Sequence, residues 1–407
     1  MPKPILISIS PNTSCSDIAL AFKTLFQPWR WQTGKTLSQL NAQLKSQLKA
    51  QHCWLLNSGR SALYLALKAL NLKATDEVLC QAFTCVAVPN AILWAGAKPV
   101  FVDTVKNGFN LSIKDLQKKI TSKSKVLIVQ HTFGQPDDLQ AIKQLCQKHK
   151  LTLIEDCAHS LGATYQAKPV GSFGDITMLS FGRDKVISSV FGGALLTSNQ
   201  ALAKKIDKLV SNLKSPSNCW TGKQLLHPLI MAIITPLYFT LNLGKFLLFL
   251  YQKSRLLTFP VSPQEKACKM SLKPQSLPNA LAILALHQLN KLTKINQQRQ
   301  QIAKHYQQAL RLPPSPSGSI YLRLPLLVDQ PENLINQAKK HHLLLGNWYR
   351  PIIAPQGVDL KKAGYRTGSC PNAETSSQQV VNLPTHPKMT LKHASRVVKI
   401  VKSYVNH

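Results

Sequence analysis

The sequence predicts an α/β protein in which a large domain with a mainly parallel sheet precedes a smaller C-terminal α+β domain. Short apolar, β-branched runs alternate with helical patterns in the first half of the chain, and such alternation implies crossover connections between parallel strands. A proline-rich break at residues 313–316 then separates two units. The 407 residues suffice for one large core and a second, smaller one.

Two helices are predicted early in the chain. Leucines at helical spacing predict an amphipathic helix within residues 35–51, and a second helix is expected at 62–70. Strands are expected at 53–56, 77–79, 99–102, 125–129, 152–155, 176–180 and 193–197. Further helices are expected at 90–94, 113–120 and 138–148. Ligands bind at the carboxyl ends of parallel strands, so polar residues that follow these strands are site candidates.

The second half of the chain continues with a long helix that begins near residue 277 and connects the two domains. Beyond the proline-rich break we expect a strand near 320–324, a helix near 331–341 and a last helix at 391–405. The predicted divisions are an N-terminal segment and helix that pack on the domains (1–56), the large domain (57–265), the connecting helix (266–312) and the small domain (313–407). An apolar insertion with basic flanks occupies about 215–260 of the large domain.

Composition and charge limit the class of protein. Nine cysteines are an odd number without CxxC spacing, which favours reduced thiols in a cytoplasm over a disulfide framework or a metal site. The first residues show no secretory signal. The net charge of +33 implies attraction to a polyanion. Nucleic acid is not expected, because no basic cluster is interleaved with aromatic residues for base stacking.

The insertion is the most apolar part of the chain. Residues 208–264 contain no acidic residue, and residues 224–244 contain neither an acid nor Lys or Arg. Pro228 and Pro236 interrupt this run, and Lys253 and Arg255 follow it. We interpret residues 224–252 as a broken helix or hairpin in a membrane interface, with its basic flanks at anionic headgroups. The other interpretation is an insertion that is buried in a dimer or in the core.

The segment 151–196 carries the strongest chemical signal. Asp156 ends a predicted buried strand, and Lys185 precedes Gly192 and Gly193 in a stretch of small residues. A lysine amine that is partly desolvated and open to a planar aldehyde suits Schiff-base chemistry. A carboxylate such as Asp156 can pair with a protonated ring nitrogen and make the ring an electron sink. Together they predict a pyridoxal phosphate site with Lys185 as the catalytic residue.

The tetrapeptide Ser-Gly-Arg-Ser at 58–61 lies between a predicted strand and a predicted helix. A turn of small residues that opens a helix offers backbone N–H groups and the positive end of the helix dipole to an anion. Taken alone, the same residues fit an ordinary strand-to-helix turn with a serine cap. Because Lys185 and Asp156 accompany it, we assign this turn to the cofactor phosphate.

Several blocks of sequence, in one order, resemble a known family. They are Asn-Ser-Gly-Arg-Ser-Ala-Leu (57–63), Gln-Ala-Phe-Thr-Cys-Val-Ala-Val-Pro-Asn-Ala-Ile (81–92), Gly-Ala-Lys-Pro-Val-Phe-Val-Asp (96–103), His-Thr-Phe-Gly-Gln-Pro (131–136), Ser-Phe-Gly-Arg-Asp-Lys (180–185), Cys-Pro-Asn-Ala-Glu (370–374) and Asn-Leu-Pro-Thr-His-Pro (382–387). From about Trp31 onward, with one gap, the chain resembles the DegT or DnrJ sugar aminotransferases, which are fold-type-I pyridoxal-phosphate enzymes. The resemblance implies a fold-type-I large domain that binds pyridoxal 5'-phosphate.

The resemblance also implies roles for individual residues. Lys185 would hold the cofactor and move the proton, Asp156 would face the ring nitrogen, and His159 would lie by the phenolic oxygen. The phosphate would be held by Gly59, Arg60, Ser61 and Ser180. Cys85 stands where the family usually has an aromatic residue, so stacking on the ring is expected from Phe83 or is replaced by a contact with the thiol of Cys85. Arg350 is either a ligand for a carboxylate or phosphate or a solvated side chain.

By the same resemblance, the chain is expected to move an amino group from glutamate to a keto-sugar, linked to a nucleotide or a lipid, in surface polysaccharide or amino-sugar biosynthesis. A homodimer is expected in the cytoplasm, peripheral at the inner face of the membrane. The family's cross-subunit Asn-Tyr-Arg-Met segment reads Ala-Cys-Lys-Met at 267–270. The alternatives are a catalytically idle or regulatory relative at the membrane and a sugar dehydratase, a branch that typically has histidine in place of Lys185.

Overall fold

A computed structural model describes residues 4–254 and 256–405, and its largest feature is a central sheet. The strands are β1 (Ile5–Leu6), β2 (His52–Leu56), β3 (Glu77–Gln81), β4 (Thr84–Cys85), β5 (Lys98–Val102), β6 (Ser124–Gln130), β7 (Thr152–Asp156), β8 (Thr164–Tyr165), β9 (Lys168–Pro169), β10 (Ile176–Ser180), β11 (Gly193–Thr197), β12 (Leu324–Leu327), β13 (Leu343–Leu344), β14 (Ile353–Ala354) and β15 (Val380–Leu383).

The helices lie mostly between these strands in the chain. They are α1 (Cys15–Leu25), α2 (Lys35–Leu48), α3 (Gly59–Ala69), α4 (Ala87–Ala95), α5 (Ile113–Lys119), α6 (Leu139–His149), α7 (Gln200–Val210), α8 (Asn218–Leu237), α9 (Leu243–Lys253), α10 (Pro263–Lys266), α11 (Asn279–Leu289), α12 (Leu292–Ala309), α13 (Pro331–Lys340), α14 (Pro371–Gln379) and α15 (Leu391–Val401). Single 3-10 turns occur at Pro28–Arg30, Thr132–Gly134 and Lys402–Tyr404.

The central sheet has seven strands in the order β2-β11-β10-β7-β6-β3-β5. Strands β10, β7, β6, β3 and β5 are parallel neighbours, whereas β11 runs antiparallel to both β10 and β2. The strand β2 at one edge comes from the segment 1–56. These pairings confirm the predicted α/β class with a mainly parallel sheet.

Both faces of the sheet are buried, as crossover helices require. In β6 the side chains alternate, so Leu127 and Val129 join one core cluster while Val126 and Ile128 join the other. The first cluster takes apolar residues of α2 and α11, and the second takes those of α3 and α4. The carboxyl ends of the strands therefore open at one edge between two helical layers.

The C-terminal part has its own core, in which α12, α13 and α15 contribute apolar residues. Strands β12 and β15 pair antiparallel, and β1 pairs parallel with β13. The strand expected near 320–324 begins four residues later, at Leu324. The reason is that Ile320 and Leu322 donate backbone hydrogen bonds to the loop after β6, at Gly134 and Phe133, before the pairing with β15 begins.

The connecting segment consists of two helices where the apolar pattern predicts one. Helix α11 ends at Leu289 and α12 begins at Leu292. At the break the Lys291 amide donates to the carbonyl of Gln288, which is a tighter turn than in an α-helix. The Lys291 ammonium lies 2.8 Å from the Asp17 carboxylate, so a tertiary ion pair holds this turn against α1.

The apolar insertion forms two packed helices, α8 and α9, which we call the hairpin (Asn218–Lys253). Pro228 and Pro236 lie inside α8. Gly244 allows the return, because a Cβ atom there would lie 2.6 Å from the backbone of Tyr238. Among the described residues no helix is both long and apolar enough to cross a bilayer. Arg255 lies outside the described residues.

Candidate active site

A cavity of about 570 Å³ opens at the carboxyl edge of the sheet. Asp156 and Ser180 are the last residues of β7 and β10, and Gly59 is the first residue of α3. Of the nine residues that the sequence analysis assigns to the cofactor, seven line the cavity, namely Gly59, Arg60, Cys85, Asp156, His159, Ser180 and Lys185. Topology explains this grouping, since parallel strands deliver their carboxyl ends to one place.

Lys185 lies in the loop between β10 and β11, and its ammonium nitrogen is 3.0 Å from His159 Nε2. Burial lowers the pKa of Lys185 from its ordinary value, while the nearby Cys85 and Asp156 oppose this change. Burial also holds the pKa of His159 well below its ordinary value, and the charges of Lys185 and Arg323 act in the same direction. The imidazole is therefore neutral, and the neutral amine of Lys185 forms at a lower pH than that of an exposed lysine.

The hydrogen bond at Nδ1, the second ring nitrogen of His159, determines the tautomer of this histidine. The backbone N–H of Phe133 donates to His159 Nδ1 at 3.3 Å, so the ring proton of the neutral imidazole is on Nε2. That Nε2–H faces the Lys185 amine and the hydroxyl oxygen of Tyr349, which is 3.2 Å away. The histidine can thus donate to a neutral amine and hold it in place.

Trp348 and Tyr349 line the same cavity, although neither was selected in the sequence analysis. The ring of Trp348 stacks near-parallel on His159, with 5.5 Å between the ring centroids. The guanidinium carbon of Arg323 lies 3.5 Å from the Trp348 ring centroid. The Lys185 nitrogen lies 5.2 Å from that centroid. An Asn-Trp-Tyr-Arg segment with two adjacent aromatic residues was the signal that could have indicated them.

Asp156 is buried at the strand end, where Oδ1 accepts a hydrogen bond from the Ala158 amide at 3.0 Å. Burial raises the pKa of Asp156, whereas the Ala158 N–H and the positive charge of Lys185 lower it. A buried carboxylate of this kind is stabilised by a cation that comes within hydrogen-bonding distance. A protonated ring nitrogen is such a cation, and the cavity is open to it beside Asp156.

The anion-binding turn is closely packed. A Cβ atom on Gly59 would lie 2.7 Å from the Cβ of Ser180, so glycine lets the start of α3 approach the end of β10. Ser58 caps α3 by accepting from the Ser61 amide. The Ser61 hydroxyl donates to Asn57 Oδ1 at 2.6 Å, and Ser61 is buried and outside the cavity lining.

Arg60 is directed across the cavity wall to a carboxylate. Its guanidinium forms an ion pair with Glu265, a buried residue of α10. Glu265 also accepts from the Ser262 amide at 2.7 Å and completes the capping box of that helix. Arg60 therefore ties the anion-binding turn to the segment after the hairpin.

Phe83 does not reach the cavity lining. It is fully buried and contacts the rings of Phe109, Phe133 and Tyr349. Cys85, two residues on, lines the cavity, and β4 pairs with β14 beside it. Burial raises the pKa of the Cys85 thiol, so it offers a neutral, polarizable contact. Arg350 lines the cavity too, but its Nη2 atom lies 3.1 Å from Glu332 Oε1.

The residues present fit pyridoxal 5'-phosphate. The amine of Lys185 and the carboxylate of Asp156 border one cavity, which supplies the two groups that the aldehyde and the ring nitrogen require. The cradle between Gly59 and Ser180 has no room for a larger side chain at position 59 and presents the N-terminus of α3, as a phosphate requires.

The chain is similar to a family of enzymes along most of its length. The model of the DegT/DnrJ/EryC1/StrS aminotransferase family matches residues 14–221 and 272–402. The unmatched residues between them include most of the hairpin.

Individual relatives give the same picture. GDP-perosamine synthase of Vibrio cholerae is 34% identical, but the match covers 50% of this chain and 54% of that protein. UDP-4-amino-4-deoxy-L-arabinose–oxoglutarate aminotransferase of Shewanella sediminis is 26% identical over 98% of this chain and 97% of its own length. The structure of Helicobacter pylori PseC, an aminotransferase involved in the biosynthesis of pseudoaminic acid, matches with a TM-score of 0.75 and 21% identity, covering 99% of both chains.

Proposed function

The chain belongs to the DegT/DnrJ/EryC1/StrS aminotransferase family, and from this premise we propose that it transfers an amino group from glutamate to the ketone of a sugar. The observation that carries the proposal is that Lys185 and Asp156 border one cavity, with the N-terminus of α3 at its wall. The names of two relatives, GDP-perosamine synthase and an oxoglutarate aminotransferase, support a sugar acceptor and glutamate as the donor. The product then belongs to surface polysaccharide or amino-sugar biosynthesis.

In this mechanism the bound pyridoxal 5'-phosphate supplies a carbonyl that condenses with amines and a ring that accepts electrons. Lys185 would contribute the amine that holds the cofactor and the base that takes the proton from the α-carbon of the donor. His159 keeps its Nε2–H toward Lys185 and so orients that amine. Asp156 is buried and would stabilise a proton on the ring nitrogen.

The first half of the reaction, in which glutamate gives up its amino group, tests this proposal. Protein loaded with pyridoxal 5'-phosphate is mixed with L-glutamate, and the visible absorbance of the cofactor is followed together with released 2-oxoglutarate. We expect the band to disappear and one 2-oxoglutarate to form per site, while D-glutamate leaves both unchanged. Absence of 2-oxoglutarate would remove the aminotransferase proposal. Keto-sugars linked to nucleotides or to lipids, added next, identify the acceptor by mass spectrometry.

We also propose that the chain forms a homodimer in the cytoplasm. Support comes from the segment 267–270, which stands where the family reaches into the partner subunit. This segment packs on α4, where Trp94 Nε1 donates to the Cys268 carbonyl at 3.3 Å. Its last residue, Met270, is exposed, as is Phe259 at the cavity wall. A second subunit that covers these apolar residues would also close the cavity.

The hairpin is proposed to rest on an anionic membrane surface. Its residues Ile230, Met231 and Ile234 are buried together, but other large apolar residues of the hairpin are exposed: Ile233, Leu241, Leu243, Phe246, Phe249 and Leu250. An exposed apolar patch marks an interaction surface. Lys223, Lys245 and Lys253 accompany it without any acidic residue, and a second copy of the chain would bring the same charge of +33. Anionic headgroups are therefore the better electrostatic match.

Vesicle flotation tests this surface. We expect the protein to float with vesicles of phosphatidylglycerol and phosphatidylcholine, and less with phosphatidylcholine alone. The double change Phe246→Ser and Phe249→Ser removes two exposed rings and should lower the bound fraction at least roughly tenfold.

The matched control is Leu391→Ser, an equally exposed residue of the small domain, which should bind as the unchanged protein does. Undiminished flotation of the double variant would contradict the membrane proposal. If light scattering shows that the same variant is monomeric while the unchanged protein is dimeric, the face is a subunit interface and the membrane proposal is wrong.

A further inference from the structure

Arg183 is a cation in the cavity wall whose guanidinium lacks hydrogen bonds to the described part of the chain. It lies between Ser180 and Lys185, and its Nε and Nη2 atoms are buried without an acceptor. The guanidinium carbon lies 5.2 Å from the ring centroid of Phe191, which lines the cavity as well. A planar guanidinium that is stacked on an aromatic ring and has free donors is suited to bind a carboxylate.

The charge of Arg183 is offset only in part by Asp184, its neighbour in the chain, because Arg323 also pairs with that carboxylate. Asp184 Oδ2 lies 3.9 Å from Arg323 Nη2, and Asp184 Oδ1 has no hydrogen-bond partner among the described residues. Two guanidinium groups thus share one carboxylate. Burial lowers the pKa of Arg183 to about 10, so the side chain is still charged at neutral pH. Because a buried cation is costly when its charge is only partly neutralised and two of its donor atoms have no acceptor, an anionic ligand is expected next to it.

Three kinds of anion can enter this cavity: the cofactor phosphate, an acceptor phosphate and the carboxylate of the amino donor. The cofactor phosphate has its own cradle at Gly59. Reacting atoms must approach to about 3–3.5 Å. In an amino acid the α-carboxylate is attached to the reacting carbon, so it stays close to Lys185. Arg183 is two residues from Lys185. Arg350 also has a buried atom without an acceptor, Nη1, but its Nη2 atom already lies 3.1 Å from Glu332 Oε1.

We propose that Arg183 binds a carboxylate of the amino-acid donor and thereby selects amino acids over amines that lack a carboxylate. This inference rests on the proposed function, because it assigns a specificity-determining residue to the same cavity. The carboxylate would accept two N–H groups of the guanidinium, which also fixes the direction in which the α-carbon faces Lys185. Phe191 supports the plane of the guanidinium from one side.

The experiment compares the Arg183→Gln variant with the unchanged protein, both loaded with pyridoxal 5'-phosphate. We expect the apparent affinity for L-glutamate in the half-reaction to fall about 30-fold, which corresponds to the loss of charge-assisted hydrogen bonds. The rate with propylamine, a primary amine without a carboxylate, should be unchanged. Calorimetry with glutarate, a dicarboxylate that cannot react, should show a similar loss of binding, and Arg183→Lys should recover part of it.

The control is Arg366→Gln, which removes an exposed arginine elsewhere and should change none of these values. The inference is wrong if Arg183→Gln binds glutarate and glutamate normally, or if its defect is instead weaker binding of pyridoxal 5'-phosphate. Failure of the proposed function has a different signature, since the unchanged protein would then release no 2-oxoglutarate at all.

Discussion

The Lys185→Ala variant is expected to lose amino transfer, with a turnover number lower by about 10⁴-fold. The change removes both the amine that holds the cofactor and the base that takes the proton from the α-carbon of the donor. Release of 2-oxoglutarate from glutamate under saturating pyridoxal 5'-phosphate measures the effect. Lys204→Ala, which removes an exposed lysine of α7, is the matched control and should keep full activity.

The covalent role of Lys185 can be measured separately from turnover. Reduction of the loaded protein with borohydride should fix the cofactor to position 185, as mass spectrometry of the peptides would show. Since burial lowers the pKa of Lys185 below 10.5, its neutral amine forms at a lower pH than that of an exposed lysine. Uptake of the cofactor should therefore rise with pH and level off below pH 10.5. Label at another lysine would contradict the assignment.

The Asp156→Asn variant should lower the turnover number by about 10²–10³-fold, because an uncharged amide cannot stabilise a proton on the ring nitrogen. The fold should persist, since Asn is of similar size and its oxygen can still accept from the Ala158 amide. Steady-state kinetics and thermal unfolding measure the two effects.

Two further observations would support the role of Asp156. Asp156→Glu keeps the charge and should lose less activity than Asp156→Asn. Burial raises the pKa of Asp156, so in the unchanged protein the affinity for the cofactor should fall as the pH drops through that raised value. An Asn variant with an unaltered turnover number would exclude this carboxylate from the chemistry.

Much of the large domain was predictable because its signals are local. The strand expected at 176–180 and the one at 193–197 match β10 and β11 residue for residue, since each is a short buried run between turn residues. Asp156, Ser180 and Lys185 then meet because strand ends in a parallel sheet meet. That inference required only the alternation of strands and helices.

The parts that were not predicted depend on contacts between distant segments. Trp348 reaches His159 from the C-terminal part of the chain, and Arg323, which immediately precedes β12, stacks on Trp348. The partner of Arg60 is Glu265, which lies beyond the whole hairpin. No periodicity within a window of ten or so residues contains such information. At the break between α11 and α12, Lys291 likewise pairs with a residue that is distant in the sequence, Asp17.

The pairing of β1 with β13 has a consequence for biosynthesis of the chain. Ile5 and Leu6 are translated long before their partners, Leu343 and Leu344. Domains generally fold in the order of their synthesis. Strand β1 therefore stays unpaired while the intervening segments are synthesised. Termination of translation before residue 343 would leave this apolar strand without its partner strand and exposed to chaperones and proteases.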